Sequence, residues 1–315
     1  MKALNANSLA GYRVLVVGGN GFIGRHVLHA LMTAGAEVAV MDVTGPDQTF
    51  SRLDWVTGSL TDHPLFASAV AGCDQVIFLA NSSLPGSANN DLSSEVEAHV
   101  KVSVKAAEIC HSHGVRRFVF ASSGGTVYGV NSDDPITENT QTVPRNAYGV
   151  SKLAIEHYLR VIGALRGMET VSLRISNPYG EGQRAHRNQG FIAAAMAHAM
   201  SGKTLPIWGD GNVERDFLHV SDVARAFVAA CSAEAPPGTI NIGSGQATSL
   251  LQVLERIEAA LGCKVPVAFE AGRAIDVKRN VLDIKRARET LGWAPEVSME
   301  AGLVRTAAWW KGQTR

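Results

Sequence analysis

Five short, largely apolar runs punctuate the first half of the chain: Val14 to Val17, Val38 to Val40, Val76 to Ala80, Phe118 to Ala121 and Val171 to Ile175. Between them lie stretches of helical length, notably Phe22 to Ala34, Leu92 to His113 and Asn146 to Leu165. A strand that is apolar on both faces has to be covered on both faces, and crossover helices between parallel strands supply that cover. The alternation predicts an α/β fold built on a doubly wound parallel sheet.

The pattern changes after Pro178. "NPYGEGQRAHRNQG" is a polar, glycine-containing connection, and beyond it the strand signals become short and irregular while helical ones persist. One helix is expected near Ser221 to Cys231, with Ser221 or Asp222 capping its first amides. The division expected is a larger domain over 11–178, to which the chain returns near 214–242, and a smaller C-terminal α/β domain over 179–315.

Composition narrows the function classes. The chain has 315 residues, of which 46% are hydrophobic and 18% charged, enough to bury a substantial core. Basic and acidic residues balance at 29 each, which argues against nucleic acid or a membrane surface as partner, so an anionic ligand has to be met locally. Cys73, Cys110, Cys231 and Cys263 stand far apart without a CxxC pair and read as buried free thiols. No apolar stretch approaches a membrane span and "MKALNANSLAG" lacks the apolar region of a secretory signal, so a cytoplasmic location is expected.

The first apolar run ends in "GGNGFIG", where Gly19, Gly21 and Gly24 satisfy G-x-G-x-x-G between an expected strand and an expected helix. In that context a bare turn lets a pyrophosphate approach the free amides of the helix start. A side chain at the first two glycines is expected to obstruct the turn and that approach. Asp42 ends the second expected strand, where its carboxylate accepts from a ribose 2′-hydroxyl and repels a 2′-phosphate. The turn is therefore Rossmann-type and favours NAD over NADP.

"NAYGVSKLAIEHYL" places Tyr148 and Lys152 four residues apart, on one helical face. A tyrosine near its reference pKa of about 10 is a poor base at neutral pH, but a nearby ammonium and a cationic nicotinamide favour its phenolate. The two together make an acid/base. His111 and His113 lie near a helix C-terminus, with no acidic or cysteine partner at metal-ligand spacing, and no metal is expected.

"GGNGFIG", "SSGGTVYG", "YGVSK", "LRISNPYG" and "GDGNVERDFLHVSDVARAF", in this order, resemble the extended short-chain dehydrogenase/reductase family and, within it, the nucleotide-sugar epimerases and dehydratases such as UDP-glucose 4-epimerase. The resemblance runs from about Tyr12 to Trp293. It implies that Tyr148 is the catalytic base and that Lys152 binds the nicotinamide ribose and lowers the tyrosine pKa. It also implies that Gly18, Gly21, Phe22, Ile23, Gly24 and Asp42 line the NAD site, that Asp62 of "GSLTD" contacts the adenine, and that Leu79, Ala80 and Asn81 flank the cofactor. Asn177, Arg215 of "ERDF" and Arg273 of "GRAID", with Asp276 nearby, are implied to hold the sugar nucleotide, since planar guanidinium forks suit a diphosphate. A homodimer is implied, packed through the helices over Leu92 to His113 and Asn146 to Leu165.

This chain departs from the family pattern twice. The family's catalytic serine or threonine, four places before the tyrosine of "VYG", is here Gly124, so Ser123, Thr126 or a water takes that role, with Thr126 preferred. The asparagine common in the helix before the fifth strand is His99. The acid pair of the dehydratases and the glutamate of the decarboxylases are both missing beside Thr126. The remaining chemistry is a 4-epimerase acting on a UDP-hexose, a UDP-N-acetylhexosamine or a UDP-uronic acid through a transient 4-ketose. The alternatives are an NAD-dependent nucleotide-sugar reductase or dehydrogenase, and a binding protein with impaired catalysis. Asn280, at a position where related 4-epimerases carry either a bulky tyrosine or a smaller residue, is expected to admit N-acetylated sugars.

Overall fold

The computed structural model describes residues 8–81, 88–129, 132–185, 190–234, 238–272 and 277–313. The apolar runs form the middle of a seven-stranded sheet made of β1 (Arg13–Val17), β2 (Glu37–Asp42), β3 (Asp54–Thr57), β4 (Gln75–Phe78), β5 (Arg117–Ser123), β6 (Glu169–Ile175) and a late strand, Gly238–Ile242. Every pairing in it is parallel. The order is late strand, β6, β5, β4, β1, β2, β3, so the chain starts in the interior and winds outward in both directions. Val17 stands opposite both Met41 and Phe78, which brings the ends of β1, β2 and β4 to one edge. Ligands of open parallel sheets bind at that edge, where the winding direction reverses.

Helices α1 (Phe22–Thr33), α2 (His63–Val70), α3 (Leu92–Glu95), α4 (Val102–Ser112) and α5 (Ala147–Arg166) come from the same half of the chain. The expected Leu92 to His113 helix is interrupted by a wider π-helical segment, Val96–Lys101, between α3 and α4. Two apolar layers result. Val27, Leu28 and Leu31 of α1 pack with Val14 and Val16 on one face of the sheet. On the other face Phe66, Ala107, Ile155 and Leu159 cover Leu15, Val17 and Phe120.

The second half runs through β7 (Asn177–Tyr179), α6 (Phe191–Ser201), β8 (Leu205–Trp208), β9 (Glu214–Arg215), β10 (Phe217–His219) and α7 (Val220–Ser232). It continues with β11, the late strand, then β12 (Thr248–Ser249), α8 (Leu250–Leu261), β13 (Val267–Glu270), β14 (Arg279–Asn280), α9 (Lys285–Leu291) and α10 (Met299–Gln313). In the large sheet β11 lies beside β6, and α7 packs on α1. A separate apolar cluster, including Ile192, Met196, Val253, Ile257 and Leu303, joins α6, α8 and α10. Between the two lies the small sheet β12, β9, β14.

Two local expectations are corrected. The cap of α7 is His219, whose ring accepts from the Ser221 amide, rather than Ser221 or Asp222. Asp222 is fully buried and accepts instead from the amides of Glu296 and Val297, with Arg225 as its ion-pair partner. Cys263 is exposed, while Cys73, Cys110 and Cys231 are buried.

Candidate active site

The glycine turn stands at the converging edge of the sheet. Gly18 has φ 85°, and a Cβ there would lie 2.9 Å from the Ala80 amide nitrogen. That residue must be glycine for both reasons. A Cβ on Gly24 would lie 2.3 Å from the Gly18 carbonyl, so α1 begins pressed against the turn. A Cβ on Gly19 would strike Val40 at 2.5 Å, toward the sheet, so its smallness serves packing. Gly21 meets only the Gly18 carbonyl, at 3.3 Å, and it caps α1 without a side chain. Phe22 and Ile23 follow, with no acidic residue in the first turn. Amides left in this state at a helix start fit a pyrophosphate.

Asp42 closes β2 beside this turn and accepts from the amides of Asn20 at 2.9 Å and Thr44 at 3.0 Å. It thus fixes the loop. Asp62 follows β3 and accepts from the Leu65 amide at 3.1 Å, as N-cap of α2. Leu79, Ala80 and Asn81 follow β4 directly, with the Leu79 amide donating to the Val17 carbonyl at 2.9 Å. The residues expected around NAD therefore share one edge, and their shape and donors fit that group.

Tyr148 and Lys152 lie one turn apart at the start of α5, whose cap is Asn146. The Lys152 Nζ donates to the Ala121 carbonyl at 2.9 Å and stands 4.7 Å from the Phe120 ring and 5.5 Å from the Tyr148 ring. Burial pushes Lys152 down to about 8, against the opposing charges of Glu95 and Glu156. Burial, then the charge of Glu95, pushes the Tyr148 phenol up. Desolvation disfavours the charged phenolate in the protein alone.

The glycine loop after β5 is pinned to this helix. Thr126 carries a buried hydroxyl without a hydrogen-bond partner, and its carbonyl lies 2.6 Å from the place of a Cβ on Gly149. Ser123 closes β5, and the Cβ position of Gly125 is 4.0 Å from its hydroxyl and 3.8 Å from Asn177 Oδ1. Asn177 donates from Nδ2 to the Asp216 carbonyl at 2.9 Å. Asn280 is buried, pairs in register with Arg215 between β14 and β9, and donates from Nδ2 to the Gly124 carbonyl at 3.2 Å. Its Oδ1 is buried without a partner. Arg215 also donates to the Glu214 carbonyl at 2.9 Å. The fold thus gathers Ser123, Thr126, Asn177 and Asn280 around one loop, with Arg215 beside them. Arg273 and Asp276 lie outside the described residues.

Three acidic residues were not anticipated. Asp216 is fully buried and accepts from the amides of Ser244, Gly245 and Leu282, tying β9 to the segments after β11 and β14. Burial raises its pKa against these bonds. Glu156 lies behind Lys152 in a buried pair with Arg174 at 2.7 Å. Glu95 borders one small space with Asn81, His99, Tyr148 and Lys152. The arginine of "RDF" drew attention to its stretch; its aspartate neighbour, standing beside a charge, gave no separate signal.

Residues 14–243 match the NAD-dependent epimerase/dehydratase family. A dTDP-4-dehydro-6-deoxyglucose reductase of Escherichia coli is 31% identical over 302 residues, covering 92% of this chain and 95% of that protein. The UDP-glucose 4-epimerase of Thermotoga maritima, solved with UDP-glucose, superposes with a TM-score of 0.90 at 30% identity, covering 96% of this chain and all of that one. That of Thermus thermophilus, solved with NAD, gives 0.88 at 30%, covering 95% and 99%. A matching stretch that begins in β1, includes both the glycine turn and the Tyr148–Lys152 helix and ends just past β11 leaves one conclusion: this chain belongs to the NAD-dependent epimerase/dehydratase family.

Proposed function

We propose that the protein is a nucleotide-sugar 4-epimerase acting on UDP-hexoses, UDP-N-acetylhexosamines or UDP-uronic acids. The observation that carries this reading is the buried, unpartnered Thr126 hydroxyl beside a Tyr148–Lys152 pair, in a loop that bears no carboxylate between Ser122 and Tyr128. Elimination of water needs an acid and a base beside the sugar, and this loop supplies neither. Bound NAD supplies the oxidant for the sugar carbon and the reductant for its return. Tyr148 takes the proton of the 4-hydroxyl and later gives one back; Lys152 and the cationic nicotinamide supply the positive charge that the buried phenol needs. Thr126 donates to the sugar oxygen, with Ser123 as the second hydroxyl of the loop. The glycine turn, Asp42 and residues 79–81 hold the cofactor, and Arg215, Asn177 and Arg273 meet the diphosphate.

Purified protein given a panel of UDP-sugars without added NAD is expected to form the 4-epimer, because a cofactor recycled internally has no need to leave. Turnover only with stoichiometric consumption of NADH on a 4-keto nucleotide sugar overturns the epimerase in favour of a reductase, the activity named for the Escherichia coli relative. Exposed Leu92, Val96, Val150, Tyr158, Val161 and Leu165 on α3 to α5 support a homodimer through those helices. A monomer mass by light scattering at micromolar concentration removes the dimer without touching the chemistry.

A further inference from the structure

Glu95 ends α3 and His99 lies one π-helical turn on; they are 5% and 6% exposed. Glu95 Oε2 stands 3.6 Å from His99 Nε2, and Glu95 Oε1 is buried without a hydrogen-bond partner. Both side chains border the same small space as Tyr148 and Lys152. Burying a carboxylate with an oxygen unsatisfied is expensive, and a leucine at this place would be easier to fold. The sequence pattern offers no structural reason for it.

We propose that Glu95 is an electrostatic positioning residue that sets the pH range over which Tyr148 and Lys152 hold their working protonation states. The proposal rests on the reading of Tyr148 and Lys152 as the acid/base pair. A negative charge here disfavours the phenolate and favours the ammonium, so it raises both pKa values together. That is the sense in which Glu95 acts on each of them. Burial holds the His99 pKa down, so the imidazole beside the carboxylate does not cancel its charge. Among the described residues, the groups facing Glu95 are few. Its own segment offers His99, and α5 offers Tyr148 and Lys152. The short turn Ala88–Asn90 packed beside it has no ionisable side chain. Glu156 is engaged by Arg174 and Ser122, and Lys101 pairs with Glu97 on the exposed side.

The test compares Glu95→Gln, Glu95→Asp and Tyr148→Phe with the parent enzyme. In Glu95→Gln both limbs of the kcat profile are expected to move to lower pH by about one unit, with peak kcat kept within about threefold. NMR titration of isotope-labelled lysine, with the Lys152 signal assigned by its absence in Lys152→Met, is expected to show the same downward shift of that side chain. Glu95→Asp, which keeps the charge, is expected to keep both limbs near the parent positions. Coincident profiles for Glu95→Gln and the parent overturn the proposal, as does an equal displacement in Glu95→Asp. If Glu95→Gln does not fold, a displaced profile in Glu95→Asp decides against it alone. Activity persisting in Tyr148→Phe overturns the proposed acid/base pair instead.

Discussion

The Thr126 carbonyl and the Gly149 backbone are in direct contact: a Cβ on residue 149 would stand 2.6 Å from that oxygen. The contact sets the distance between the loop carrying the unpartnered hydroxyl and the helix carrying Tyr148. Gly149→Ala has to push one from the other. We expect kcat to fall by about a hundredfold, the order seen when reacting groups are displaced by an ångström, with a smaller change in NAD affinity. An alanine variant with parent kcat would show that the loop does not position the chemistry.

Lys152 links burial to stability with a definite sign. Its pKa falls from 10.5 to about 8 on folding, so the stabilising contribution is complete above 10.5 and is lost as pH falls through 8. At pH 7 the fold carries a buried charge at a penalty. Lys152→Met keeps the stem and removes the charge; after loss of the bond to Ala121 we expect a gain of about 2 kcal/mol at pH 7 in urea denaturation, with activity abolished. The gain is expected to shrink as the pH is raised from 8 toward 10.5. A constant gain across that range would mean that the ammonium is not the source.

The Arg174–Glu156 pair is nearly sealed, at 7% and 5% side-chain exposure. Removing one partner strands the other charge, so Arg174→Met is expected to destabilise by about 3–5 kcal/mol. Arg174→Met with Glu156→Leu is expected to recover most of the loss in the same denaturation assay. Failure of the double variant to recover would place the cost in packing instead of charge.

Asp42→Ala removes both the expected ribose acceptor and the anchor of the Asn20 and Thr44 amides. Calorimetric NAD affinity is expected to fall at least tenfold, equivalent to about 1.4 kcal/mol. Unchanged affinity would exclude Asp42 from the ribose site.

Asn280 keeps a buried Oδ1 without a hydrogen-bond partner at the loop of Gly124. An acceptor of this kind suits the N–H of an N-acetyl group, so Asn280→Leu is expected to depress kcat/KM for UDP-N-acetylhexosamines more than for UDP-hexoses, by about tenfold. A tyrosine, which would close an open cleft, has no room at a position 3% exposed and is expected to cost stability by overpacking. Equal losses of kcat/KM on both sugars in Asn280→Leu would remove Asn280 as a selector.

What the sequence disclosed follows from where physical constraints are local. β1, β2, β4, β5 and β6 were legible because burial on both faces writes a largely apolar run. β3, "DWVT", was not, since an edge strand with half-exposed side chains leaves no such run. The glycine turn could be placed from its neighbours, but the reason for Gly19 depends on Val40, 21 residues on. Glu95 was invisible for a different reason: a glutamate in a helix pattern reads as a solvated face, and only the packing of α3 against α5 puts it under Tyr148.

The return of the chain to its first lobe dictates the order in which the molecule can be completed during synthesis. β6 lacks its outer neighbour, and α1 the helix that covers it, until α7 and β11, residues 220–242, have left the ribosome. Until then a nascent chain already holding the whole nucleotide turn exposes one sheet edge and the apolar stripe of α1, the kind of surface that chaperones hold. Chains released near residue 178 are therefore expected to be insoluble or chaperone-bound, and the NAD-side lobe cannot be obtained simply by shortening the protein.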